Sequence, residues 1–463
     1  MPAATERVNL VFLFADDWRV DLPPVLATHT PHIEALRAAG HDFANAFVST
    51  PVCPASRASV LTGLYESSHR FTFQTPPLDL RLLEHSVPRL LRRHGLVTGM
   101  IGKDGAALDG PRAELLFDEF RPVSRHPSIV QEYVPGLGPQ HAVDHIGDLA
   151  VDFIERRAAE DFALFVWFHS PHAQDEDPLQ FIPPDRHAGL FAETTFVPPP
   201  TWEPSFFAAQ PWFLRQSLNR ERFWWRWTEE LYEPMMRRYL QMIVGLDDAV
   251  GRIVEAVSRA GIAGRTVVVL SSDNGFFVGE RGFAGKWLGY EPSLRVPLVV
   301  FDPRRGAGVV PETVLNLDLA PTFLELAGVP VPARMQGRSL VPLLERGVAP
   351  ALSHGPAWRD DFFFEHSFAG VKTPIPRHYG VRSDTGFKLI RYRDHGQDEL
   401  YHWAADPYES IDLVDDPAYS QLLAMLRQRA EALRLEAQGL LFADGFEDGT
   451  LTDWSSTALG TDR

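Results

Sequence analysis

The sequence predicts an α/β fold: one large, mostly parallel sheet sandwiched by helices, followed by a smaller C-terminal α+β subdomain. Three observations predict it. Short continuous apolar runs, as in residues 9–15 (NLVFLFA) and 162–168 (FALFVWF), read as strands buried on both faces. Stretches of helical periodicity separate these runs, and strands alternating with helices build a parallel sheet covered on both sides. After about residue 350 the runs give way to short, alternating, polar-flanked segments.

In chain order, the first strand is 9–15, broken by Asp16-Asp17. A helix over 32–39 is closed by Gly40, and another over 84–93 by Gly95. Residues 97–101 (VTGMI) form the second strand, 142–157 an amphipathic helix and 162–168 the third strand. A long helix over 231–260 precedes the fourth strand at 266–270 (TVVVL). Residues 296–301 are a fifth strand, and 319–326 a helix ended by Gly328. In the C-terminal part, 362–364, 379–382 and 387–392 are strand candidates and 420–436 a helix. The organisation expected is a main domain over 1–350, a subdomain over 351–440 and an acidic, Gly/Thr/Ser-containing tail over 441–463. An insertion near 198–232 opens with three prolines and holds five of the eleven tryptophans. It reads either as a satellite apolar cluster under a loop or as a site wall that stacks on a ring-shaped substrate.

Composition narrows the function. Lys and Arg number 44 against 61 Asp and Glu, a net charge of −17, which argues against nucleic acid or an anionic membrane as partner. An anionic substrate then needs positive charge supplied locally. No apolar run is long enough for a transmembrane helix. Residues 1–7 lack the order of a signal peptide, which predicts a cytoplasmic protein, or a periplasmic or secreted one if the start is misassigned.

The polar residues at the strand ends carry the chemistry. In open α/β sheets ligands bind beyond the carboxyl ends of the strands. The first four strands end at Asp16-Asp17, at Lys103, at His169-Ser170-Pro171-His172 and at Asp273-Asn274. Together these would place three carboxylates, an amide, an ammonium and an imidazole on one sheet edge. The set Asp16, Asp17, Asp273 and Asn274 is all oxygen, which suits Ca²⁺, with Mg²⁺ as the other hard cation, rather than zinc.

The one cysteine, Cys53, sits in Cys53-Pro54-Ala55-Ser56-Arg57, ahead of a helical run closed near Gly63. A lone cysteine is most often a small buried hydrophobe. Here its neighbours are Pro, Ser and Arg, and its place at a helix N-terminus favours negative charge on a nucleophile. Arg57, one turn later, is in reach of the same atom.

This segment, with Ala58-Ser59-Val60-Leu61-Thr62-Gly63 after it, resembles the signature of the formylglycine-dependent sulfatase family of the alkaline phosphatase superfamily. The resemblance covers most of the chain. It includes residues 9–17, 30–40 (TPHIEALRAAG), Ser170-Pro171-His172, Ser272-Asp273-Asn274-Gly275, Gly285-Lys286, Glu399-Leu400-Tyr401 and Asp406-Pro407. Residues 290–298 (YEPSLRVPL) are similar to bacterial glycan sulfatases. It implies a sulfatase-like catalytic domain that hydrolyses a sulfate ester of a small sulfated substrate, a carbohydrate. A maturation enzyme, formylglycine-generating or anaerobic sulfatase-maturating, would convert Cys53 to formylglycine, whose hydrate is the nucleophile. Asp16, Asp17, Asp273 and Asn274 would hold Ca²⁺ together with residue 53. Arg57 would stabilise the nucleophile, Lys103 and Lys286 would bind sulfate oxygens, and His172 would protonate the departing alcohol.

Two positions depart from the family pattern. Gly105 stands where the family's Gly-Lys-x-His histidine is expected, leaving Asp104, His169 and Asp109 as substitutes. Ala55 stands where proline is commoner. Two other readings follow: a phosphonate monoester or phosphodiester hydrolase of the same superfamily, and a degenerate member that binds sulfated glycans without cleaving them.

Overall fold

The structure, a computed structural model, describes residues 8–72, 75, 77–345, 358–367 and 374–439. The expected boundary near 350 and the acidic tail 441–463 lie outside the described residues. The main sheet has eight strands: β1 (Asn9–Ala15), β2 (His41–Phe47), β3 (Val97–Gly102), β4 (Glu119–Pro122), β5 (Phe162–Trp167), β6 (Thr266–Ser272), β7 (Leu298–Phe301) and β8 (Gly308–Leu315). Their order is β8-β2-β7-β6-β1-β5-β3-β4. All run parallel except β7, which is antiparallel to both of its neighbours.

Side chains of β1 alternate between two cores. Leu10, Phe12 and Phe14 face one, with Ala58, Val60 and Leu61 of α2 (Cys53–Thr62), Val87 and Leu91 of α3 (Val87–Arg93), and Phe323 of α7 (Leu319–Leu326). Val11, Leu13 and Ala15 face the other, with Ile33 and Leu36 of α1 (Pro31–Ala39), Ile146 and Phe153 of α4 (Ala142–Arg157), and Tyr239 and Ile243 of α6 (Glu229–Arg259). The period of two therefore buries β1 on both sides, as its unbroken apolar run requires. The 198–232 insertion is helical. Its last helix, α5 (Leu218–Arg226), runs up to Trp227, and Phe223 and Trp227 are buried in the second core.

The C-terminal sheet is antiparallel: β9 (Asp361–His366), β10 (His378–Ser383), β11 (Lys388–Tyr392) and β12 (Gln397–Tyr401). One face, Phe363, Val381, Leu389 and Leu400, packs on Leu423, Leu426 and Leu433 of α8 (Ser420–Ala437). The other, including Phe362, Phe364, Ile390, Tyr392 and Tyr401, joins the main core.

A buried carboxyl lies in that second contact. Glu399 accepts hydrogen bonds from Tyr290 (2.7 Å) and Tyr392 (3.1 Å), and burial pushes it up to about 7, against the pull of Arg281. The folded state thus holds a proton that the unfolded chain has lost by pH 7. The stability this contributes is full below the unfolded carboxylate range and is lost as pH rises to about 7. Glu399→Gln is expected to melt a few degrees above wild type at pH 8 and level with it at pH 4.5. Equal melting temperatures at both pH values would contradict this.

Candidate active site

The four strands that end in polar residues, β6, β1, β5 and β3, are consecutive neighbours in the sheet and point the same way. Their carboxyl ends therefore share one edge. Asp16 and Asp17 leave β1, with the Asp16 N–H on the Ser170 carbonyl (3.1 Å). Asp17 has a left-handed backbone (φ 67°), costly for a residue with a Cβ. Tyr239 holds this turn: its hydroxyl donates to the Asp17 carbonyl (2.6 Å) and accepts from the Arg19 N–H (3.2 Å). Ser272 accepts from the Trp18 N–H (3.0 Å) and donates to the Asn274 carbonyl (3.0 Å). Tyr239 does not stand out in the sequence, because it acts through backbone groups more than 200 residues away along the chain.

Cys53 is the first residue of α2, which ends at Gly63 in the left-handed conformation. The helix is fastened at its start by Asn316, whose amide donates to Ser56 Oγ (2.8 Å) and whose Oδ1 accepts from the Ser49 N–H (3.1 Å). The ligand atoms of Asp16, Cys53 and Asp273 lie within 4.8 Å of one another, and those of Asp16, Asp17 and His172 do the same. All five residues are buried.

The expected basic residues reach this cluster. Lys103 pairs with Asp16. Lys286 Nζ lies 2.5 Å from Asp17 and 3.6 Å from Asp16. Arg57, with no exposed surface, binds Asp273 through Nε (2.9 Å) and Nη2 (2.8 Å), its guanidinium near the rings of Trp167 (4.9 Å) and Phe14 (5.1 Å). Asn274 donates to Asp17 Oδ1 (2.6 Å). His172 Nε2 is 3.6 Å from Asp17, while its Nδ1 hydrogen-bonds the Ala173 carbonyl (2.6 Å).

Burial and charge set the protonation here. Burial pushes Asp273 up to about 7, helped by Asp16 and opposed by Arg57 and the two lysines. Asp16 is buried, yet it goes well below its usual range, because Lys103, Lys286 and Arg57 together outweigh that burial. Burial holds His172 well below its ordinary value, so the ring is neutral and Nε2 is an acceptor. Burial also pushes the Cys53 thiol up, despite Lys103 and Lys286. Position at a helix start does not make it a thiolate, and Arg57 is committed to Asp273 instead. An unmodified thiol at this site is a poor nucleophile.

The donor set fits a hard divalent cation. Asp16 Oδ1 and Asn274 Oδ1 are buried oxygens without a hydrogen-bond partner. They lie among Asp16 and Asp17, paired with the two lysines, and Asp273, paired with Arg57, and oxygen-only ligation suits Ca²⁺ or Mg²⁺.

The substitutes expected for the missing histidine are engaged with backbone groups or exposed. Asp104 accepts from the N–H groups of Ala106 (3.3 Å) and Leu108 (3.0 Å), His169 Nε2 bonds the Val123 carbonyl (2.7 Å), and Asp109 is exposed. At Gly105 a Cβ would meet Arg57 Cδ at 2.5 Å and Nε at 2.9 Å. The arginine fills the room a side chain would need. Gly105→His is therefore expected to displace Arg57 from Asp273 and to lower kcat/KM for sulfate-ester cleavage rather than raise it, read as initial rates at matched melting temperature. A gain in rate would contradict this packing argument.

Residues 8–329 match the Sulfatase family, well over half of the chain. The chain belongs to the sulfatase family. It is a sulfuric ester hydrolase, with a large mostly parallel sheet and an antiparallel C-terminal sheet as in solved sulfatases. Residues 279–436 of this sulfatase also match the family N-sulphoglucosamine sulphohydrolase, C-terminal. Among its relatives is an N-acetylglucosamine-6-O-sulfatase of Bacteroides thetaiotaomicron, 27% identical over 92% of this chain and 86% of that protein. Another is the multifunctional alkaline phosphatase superfamily protein PehA of Trinickia caryophylli, 27% identical over 98% of both. In fold it is similar to a structure in complex with its substrate D-glucosamine-2-N,6-O-disulfate (TM-score 0.76, 24% identity, 96% of this chain and 100% of that one). It is also similar in fold to a phosphonate monoester hydrolase from Silicibacter pomeroyi (TM-score 0.78, 20% identity, 93% and 96%).

Proposed function

We propose that this sulfatase hydrolyses a sulfate ester on a sulfated sugar, a monosaccharide or short oligosaccharide, using a nucleophile made from Cys53 by a sulfatase-maturating enzyme. The observation that carries this reading is the approach of Cys53, Asp16 and Asp273 to within 4.8 Å at the sheet edge. Relatives named for sulfated amino sugars support the sugar. The buried thiol, pushed up in pKa, is the reason modification is needed: a formylglycine hydrate supplies an oxygen nucleophile where the thiol supplies none.

Asp16, Asp17, Asp273 and Asn274 would hold a Ca²⁺ ion, or Mg²⁺ in its place, whose chemistry is to stabilise negative charge on oxygen. Arg57 keeps Asp273 in place beside residue 53. Lys103 and Lys286 supply N–H donors that bind the sulfate oxygens and offset their negative charge. His172 moves the proton at Nε2: the anionic substrate favours the charged ring, which then protonates the departing sugar oxygen.

The test is sulfate release from a 6-sulfated amino sugar by protein matured at Cys53, with phenyl phosphonate in parallel. Sulfate release with slower phosphonate cleavage is the expected result. Faster phosphonate cleavage would move the protein to the phosphonate hydrolase reading, which its fold also accommodates. Binding without cleavage of either would mean that Gly105 has cost the enzyme its turnover.

A further inference from the structure

The catalytic cluster is close to charge balance, since Lys103, Lys286 and Arg57 each face a carboxylate. Surplus positive charge lies beside it, on the tryptophan-rich insertion. Arg222 and Arg226 stand one turn apart on α5 and both bond Asp175, three residues beyond His172. The Arg226 side chain has no exposed surface, yet its Nε and Nη1 have no partner, and Arg222 Nε is also buried without one. Arg125 also acts on the Asp175 carboxylate. Its Nη1 donates to the Ala173 carbonyl (3.1 Å) and the Gln174 side chain (3.3 Å), both neutral. One carboxylate thus serves a group of three guanidiniums.

The helix is fixed against the active site. Asn219 donates to the carbonyls of Ala284 (3.0 Å) and Lys286 (2.7 Å), clamping α5 to the loop that carries the lysine. Arg222 lies over the ring of Trp287 (4.8 Å), the residue after Lys286. Trp287 packs with Leu218 of α5 and with Val52 and Ala55 at the start of the nucleophile helix, and its backbone N–H donates to the Pro51 carbonyl (2.9 Å). Phe223 and Trp227 of the insertion are in the core, Trp212, Trp224 and Trp225 are exposed, and Arg226 is buried.

A buried cation with three of its five N–H donors empty is costly unless an anion completes it. Burial accordingly draws Arg226 down to about 10. We propose that Arg222 and Arg226 form a subsite for a second anionic substituent of the substrate, so that the sugar preferred carries a sulfo or carboxylate group besides the sulfate that is cleaved. Planar guanidiniums bind both groups in pairs of hydrogen bonds. The proposal rests on the sulfatase reading above and names the substrate class within it.

The test compares kcat/KM of the matured enzyme on D-glucosamine 6-O-sulfate, D-glucosamine 2-N,6-O-disulfate and a monosulfated uronic acid. A preference of about 10- to 100-fold for at least one doubly anionic sugar, mostly in KM, is expected from one or two charge-assisted hydrogen bonds. The doubly anionic sugar that is favoured tells sulfo from carboxylate. Arg222→Gln, and Arg226→Lys as a second variant, should bring the ratio towards one, with rates compared below the melting temperature of each variant. Equal kcat/KM in wild type, or a ratio that neither variant changes, overturns the subsite. If no sugar is cleaved, the function proposed above has failed, and calorimetry on Cys53→Ala still decides: tighter binding of a doubly anionic sugar supports the subsite, equal binding overturns it.

Discussion

Cys53→Ala is expected to remove sulfate release almost entirely, by about 10³-fold or more, while the melting temperature moves by no more than a few degrees. The two effects separate because residue 53 contributes little to the packing of its helix. It is small, and α2 is held by Ser56 on Asn316, by Gly63 and by Ala58, Val60 and Leu61 in the core. Losing one buried sulfur leaves a cavity costing about 1 kcal/mol. Chromatography of released sulfate beside a thermal melt reads both. Cleavage retained in the alanine variant would remove Cys53 from the chemistry.

Asp273→Ala should lose both calcium and stability. Asp273 accepts a hydrogen bond from Nε of a fully buried guanidinium and is in ion-pair contact with its Nη2. Truncation leaves Arg57 charged, buried and without that partner, a change typically costing about 3–5 kcal/mol. Asp273→Asn keeps an oxygen for Arg57 but removes the charge. It should be less destabilised than the alanine variant and still carry less calcium than wild type by elemental analysis. Calcium content unchanged in Asp273→Asn would contradict the ligand assignment.

Parts of this molecule can be read without coordinates, for physical reasons. A parallel strand buried on both faces has to be apolar throughout, so β1, β5 and β6 announce themselves as unbroken runs. Their ends then mark where Asp16, Asp17, His172, Asp273 and Asn274 meet. Strand β2 (HDFANAF) was not legible, because polar residues interrupt its buried positions. Edge strand β8 holds Pro311 and Glu312 at a register shift, which an edge tolerates but which erases the strand pattern. Short β4 and β12 are defined by their partners more than by their own residues. In the site, the residues were legible and their pairings were not. Arg57 bonds a carboxylate 216 residues away, not the neighbouring thiol. Arg222 and Arg226 of α5 lay hidden in a stretch whose tryptophans dominate its composition.

In the proposed reaction the cutting group is residue 53 after it has ceased to be cysteine. To test this, the protein is prepared at several degrees of Cys53 conversion, measured by mass spectrometry of the peptide containing residues 51–57. Sulfate released per molecule is then plotted against the converted fraction, with calcium present. The prediction is a straight line through the origin. Sulfate release by protein whose residue 53 is entirely thiol, or none from fully converted protein that binds the sugar, would contradict it.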